Sequence, residues 1–202
     1  MATPVDSRYI PLTQSPYLCV PTCLQMVMYK NGIPLIPAEE IGYSLGLTVP
    51  EEDGHLFFAV RTSPTPSASS GYGTQIQHPE YEPNAAMEHL SIPLHFSQKL
   101  SSEILSVDTL VSELRSVEHL NQDALLCFNP GVFYKNTYEP DTGHVVVFDR
   151  IIDGKVRIVD PAPKQPKWCV VDPLVLYEAI RAHGDANSGG IWYLAPLLDN
   201  PN

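Results

Sequence analysis

Asp153-Gly154 is the feature that most constrains this chain. It lies between two short β-branched runs, Val145-Val-Val-Phe148 and Val156-Arg-Ile-Val159. Asp-Gly readily adopts the left-handed backbone conformations of a two-residue turn, so the spacing predicts an antiparallel hairpin. Ala124–Phe128 and Ile191–Leu194 are further short apolar runs and predict more strands in the same half. The N-terminal half follows a different pattern. Leu24, Met26, Val27, Met28 and Tyr29 form a compact apolar run, opened by Cys19-Val-Pro-Thr22 and closed by Asn31-Gly32 with Pro34 beyond. Pro in the first turn and Asn-Gly after the end mark a helix, and its nearly all-round apolarity predicts that it is buried.

The remaining elements follow from local signals. A second helix is expected from Pro37, with Glu39 and Glu40 favourably placed in its first turn. A short helix is expected over 84–90, capped by Asn84, then a strand from His95 to Leu100. A helix over 108–117 takes Asp108 as its cap and Leu110, Val111, Leu114 and Val117 as its apolar stripe. Another runs from Asp172 to Ala182. Helices first, then an antiparallel β region with a late helix, give an α+β class: N-terminal helices packed on a C-terminal antiparallel sheet.

The 202 residues suit a single domain spanning 1–202. Residues 61–83, rich in Ser, Thr, Pro, Gly and Tyr, are expected to be a surface loop or insertion, either a lid or a tolerated excursion. A net charge of −11 argues against nucleic acid or an anionic membrane as partner, because no basic field offsets phosphate repulsion. No apolar run reaches the roughly 18–20 residues of a spanning helix. The start, MATPVDSRY, lacks a basic region followed by an apolar run, so a cytoplasmic location with reduced thiols is expected.

Four residues stand out for chemistry. Cys19 immediately precedes a helix, where free backbone N–H groups and the positive dipole end favour a thiolate. Taken alone, a cysteine there is more often a buried small hydrophobe. His144 opens a strand behind Gly143, so its ring can emerge at the sheet edge as the base a thiol nucleophile needs. Asp160 ends the second hairpin strand and can orient that imidazole, provided a bulge or irregular end absorbs the three-residue asymmetry about the turn. Gln14, five residues before Cys19, could donate to an oxyanion together with the Cys19 backbone N–H.

The set QSPYLCVPTCLQMVMYKNG and GHVVVFDRIIDGKVRIVDPA resembles the papain-like cysteine peptidase clan. It is most similar to the branch of bacteriocin-leader peptidases, which carry a Gln before a Cys-Gly-Pro helix start, then Gly-His and Asp-Pro. The segment DPAPKQPKWCVVDPLVLYEAI is also similar to phytochelatin synthase, a transpeptidase of the clan. The resemblance implies a papain-like fold with Cys19 as nucleophile, His144 as base, Asp160 as orienter and Gln14 as oxyanion donor. Val20 stands where both families usually have Gly, which implies less space beside the nucleophile.

Phe133, Tyr134 and Tyr138 lead toward the His144 strand and are candidate contacts for a substrate side chain or acyl group, or else a hydrophobic anchor for a long loop. Cys23 is a local competitor to Cys19, but no second ligand pair accompanies it, so no metal and no cofactor are expected. Cys127 and Cys169 are expected to be buried, and His55, His78, His89, His95, His119 and His183 to be surface or cap residues. The expected activity is cleavage of an amide, isopeptide or thioester bond in a peptide or acyl substrate through an acyl-enzyme. An acyltransferase or transpeptidase of the same fold, and a non-catalytic peptide-binding module, are the alternatives.

Overall fold

A computed structural model describes residues 6–67, 71–135 and 143–197. The N-terminal part carries helix α1 (Cys19–Lys30), helix α2 (Ala38–Ser44), two short strands β1 (Thr48–Pro50) and β2 (Arg61–Ser63), and helix α3 (Pro83–His89). Strand β3 (Leu94–Leu100), helix α4 (Val107–His119), strand β4 (Asp123–Phe128) and helix α5 (Pro130–Tyr134) follow. The chain ends with strands β5 (His144–Ile152), β6 (Lys155–Val159) and β7 (Trp168–Val171), helix α6 (Pro173–His183) and strand β8 (Gly190–Pro196). Six strands form one antiparallel sheet in the order β3-β8-β4-β5-β6-β7. The class is α+β, with the N-terminal helices on one face of this sheet.

Period-two alternation of the central strands divides the core. Leu125, Val145 and Val147 face α1 and pack with Met26, Val27, Met87 and Trp192. Leu126, Phe128, Val146 and Phe148 face the other way, onto Leu110 and Leu114 of α4 and Leu176 and Ile180 of α6. Strands β4 and β5 are therefore apolar on both faces, as expected for a sheet covered on both sides. At the hairpin, Asp153 and Gly154 have φ of 50° and 77°, the left-handed pair that Asp-Gly was expected to supply.

Several local expectations are corrected. Helix α3 is capped by the Glu82 carboxylate, which accepts from the Ala85 N–H at 2.7 Å. Asn84 instead bridges to β3, accepting from the Phe96 N–H at 2.7 Å and donating to its carbonyl at 3.1 Å. Helix α4 is capped by Ser106, whose hydroxyl accepts from the Thr109 N–H. Strand β7 was not expected: it is a four-residue edge strand, too short to give a clear alternation, and on it Cys169 is only half-buried. His183 is buried at the end of α6. The described part of 61–83 is tied down as well as exposed. Strands β1 and β2 pair in parallel, Gly73 exchanges backbone hydrogen bonds with Thr48, and Gln75 is buried. No helix of the described residues is long and apolar enough to cross a membrane.

Candidate active site

The site lies at the end of the sheet where α1 begins. No side chain caps the start of α1, so the first N–H groups of the helix remain available beside Cys19. The Cys19 side chain lies near enough to the His144 imidazole for the two to interact. Nε2 of His144 lies 2.9 Å from Oδ1 of Asp160, which leaves Nδ1 for the sulfur. Oδ1 of Asp160 also accepts the Ala162 N–H at 2.8 Å, and Oδ2 accepts the Tyr134 hydroxyl. Lys167 is drawn to the same bend, donating to the carbonyls of Pro161 at 3.1 Å and Ala162 at 3.0 Å.

The hairpin brings His144 and Asp160 together through a bulge. Val147 pairs with Val159 and Phe148 with Ile158, but the register then shifts so that Arg150 pairs with Arg157. Carried one residue toward the site, the first register sets Asp160 opposite Val146, on the face that His144 shares. Without the shift Asp160 would fall opposite Val147 and point to the other face, because a one-residue slip inverts every side chain. The extra residue is Asp149. It is fully buried, and its carboxylate takes the Arg157 Nε–H at 2.5 Å and the Arg8 backbone N–H at 2.9 Å. Sequence reasoning foresaw the need for a bulge but not its anchor. The signal was present as an acidic residue directly after the apolar run Val145–Phe148.

Burial alone would lower the His144 pKa. The Asp160 hydrogen bond, the Cys19 contact and the charges of both partners outweigh it and raise the imidazole to about 9. Burial pushes the Asp160 carboxyl up, while the His144, Tyr134 and Ala162 hydrogen bonds pull it below the usual carboxylate range overall. The arrangement keeps a positive imidazole between a carboxylate and a sulfur, which is the environment that makes thiols nucleophilic. Cys23 is a different case: buried, with its Sγ–H on the Val145 carbonyl at 3.3 Å, it is pushed well above the ordinary thiol range.

Two hollows flank Cys19. The larger, about 280 Å³, is lined by Gln14, Tyr17, His144, Ala162, Pro163 and Lys164. Gln14 is fixed there by its backbone N–H on the Pro161 carbonyl at 2.9 Å. Its Oε1 is buried and has no hydrogen-bond partner among the described residues. The smaller, about 50 Å³, lies against Val20, Val145, His183 and Trp192. Tyr72, Gly73 and Gly143 border both.

The aromatic candidates separate. Phe133 is buried and stacked on Phe128 with ring centres 4.4 Å apart, so it presents no face to the cleft. Tyr134 reaches Asp160 from behind rather than lining either hollow. Tyr138 lies outside the described residues. Tyr17 and Tyr72 line the cleft instead, edge to face with ring centres 6.3 Å apart, and the Tyr17 hydroxyl donates to Asp53 at 2.7 Å. Their loop positions carried no periodic signal that could have found them. Among the described residues, no group of three or more His, Cys, Asp or Glu side chains could hold a metal ion.

No family model and no curated protein matches this chain. Among solved structures, it is similar to a C39-like peptidase candidate from Bacillus anthracis. The two share 18% identity over 92% of this chain and 94% of that one, with a TM-score of 0.55. At that identity the likeness is one of fold, and the fold is that of C39-like peptidases.

Proposed function

We propose that this protein is a papain-like cysteine peptidase that cleaves an amide bond of a peptide through an acyl-enzyme. The observation that carries the reading is the chain Cys19, His144, Asp160, with its imidazole held positive between sulfur and carboxylate. In this mechanism the Cys19 thiolate attacks the substrate carbonyl, and the new S–C bond pushes the carbonyl π electrons onto oxygen. The Gln14 amide and the Cys19 backbone N–H then stabilise that oxyanion. His144 gives its proton to the leaving amine as the C–N bond breaks. Asp160 holds the ring in register and stays ionised throughout. Water then enters from the larger hollow and attacks the acyl carbon, giving a proton to His144 as its O–C bond forms; the S–C bond breaks, the acid leaves and the Cys19 thiolate is restored beside the imidazolium.

Hydrolysis is favoured over acyl transfer because Pro163 and Lys164 on the rim of the larger hollow are exposed, which leaves the acyl-enzyme open to water. Brief substoichiometric treatment with iodoacetamide near neutral pH, read by intact mass and peptide mapping, tests the assignment. One adduct on Cys19, lost in His144→Ala, is expected. Burial raises the pKa values of the other three thiols, so they should react slowly. Even labelling of four cysteines, or turnover that survives Cys19→Ala, would overturn it.

A further inference from the structure

The two hollows beside Cys19 differ in chemistry. The larger contains His144, which must protonate the departing amine, so the leaving group occupies it. The smaller contains Cys19 but neither His144 nor Gln14, and is therefore left for the acyl part of the substrate. It holds a second histidine. His183 is 6% exposed, and the Cε1–Nε2 edge of its ring lies so close to Gly143 that a Cβ there would meet both atoms at 2.8 Å. The Asn187 backbone beside the ring acts to raise its pKa, but burial prevails and lowers it to about 4, so the ring is neutral near pH 7. Asn187 is itself tied back, its side-chain amide donating to the His183 carbonyl at 2.9 Å.

In a neutral imidazole one nitrogen carries the proton and the other is an acceptor. The accepting nitrogen can take a hydrogen bond from a group that fills the hollow, which His183 lines. The hollow measures about 50 Å³, against roughly 10–15 Å³ for one water on this measure, which is room for about three to five heavy atoms. Its other walls include Val20, Val145 and Trp192, which are apolar. We infer that His183 is a specificity-determining residue whose imidazole accepts a hydrogen bond from a small hydroxyl side chain on the acyl side, threonine fitting best. The methyl packs on the valines and the hydroxyl donates to the ring.

This inference rests on Cys19 being the nucleophile. The probes are four dipeptidyl chloromethyl ketones, acetyl-Thr-Gly, acetyl-Gly-Thr and their Val isosteres. The sulfur displaces chloride as the S–C bond forms and the C–Cl bond breaks, and intact mass gives the alkylation rate. Thr should outpace Val about tenfold in at least one pair, the size of one hydrogen bond left unmade against a buried acceptor. His183→Leu should bring that ratio to about one, and His183→Gln, which keeps an acceptor, should retain part of it. Val equal to or faster than Thr in both pairs of the wild-type protein overturns the inference, even if His183→Leu fails to fold. If iodoacetamide labels Cys19 selectively while the Thr/Val ratios stay near one, only the role of His183 fails. Unselective labelling sinks the nucleophile assignment itself.

Discussion

At the residue scale, the shared proton of His144 is the quantity that mutations and pH should move. Its folded pKa, about 9, lies above the unfolded value near 6.5. The stabilisation it brings is therefore complete below about pH 6.5 and is lost as pH rises through about 9. Asp160 has the opposite sign: its folded pKa is lowered, so its contribution holds above the unfolded carboxyl range and is lost as pH falls through the folded value. Turnover followed against pH should decline as His144, whose proton the leaving amine needs, deprotonates near 9, and a falling limb centred near 6.5 would contradict the paired state. Tyr134 contributes only through Asp160. Tyr134→Phe should lower kcat about tenfold while leaving KM near its wild-type value, because one hydrogen bond to the orienting carboxylate is lost. Asp160→Asn should cost more than that, but less than Cys19→Ala, which removes the nucleophile.

At the scale of elements, the β5–β6 hairpin decides whether there is a site at all. Its turn follows from Asp153-Gly154, and its bulge is pinned by a buried ion pair between Asp149 and Arg157. Among the described residues, Asp149→Ala leaves the buried Arg157 guanidinium paired with the exposed Asp6 carboxylate alone. Breaking such a pair from one side costs about 3–5 kcal/mol. A urea midpoint well below wild type is expected, together with slower Cys19 alkylation under native conditions as the His144–Asp160 face is lost. Unchanged alkylation at full occupancy of the folded state would mean that the bulge survives without its anchor. The other elements bear on the site more simply. Helix α1 presents Cys19 at an uncapped start, and α5, capped by Asn129 through the Val132 N–H at 3.1 Å, delivers Tyr134 to Asp160.

For the whole molecule, one sheet separates two cores, and the site lies where the sheet end meets α1. Met26 is fully buried on the α1 face and Leu114 on the α4 face. Truncating either to Ala should cost about 2–5 kcal/mol. If the sheet couples the faces, both variants will unfold in a single transition, with tryptophan fluorescence and far-UV circular dichroism coinciding. Separated transitions would show two independent halves. Much of this architecture was legible in the sequence. The α+β order, the buried helix behind Cys19 and the Asp-Gly hairpin depend on local periodicity and turn chemistry, which act within a few residues, whereas Cys19, His144, Asp160 and Gln14 stand out by their local settings together with a family resemblance. What local signals could not reach were the anchor of the bulge, the inward turn of Phe133 and the burial of His183. Tyr17 and Tyr72 in the cleft belong with them. Each of these depends on which groups from distant segments converge: Asp149 on Arg8 and Arg157, Phe133 on Phe128, His183 on Gly143. Sequence spacing sets which face of its own element a side chain takes, whereas only the packed fold determines what meets that face.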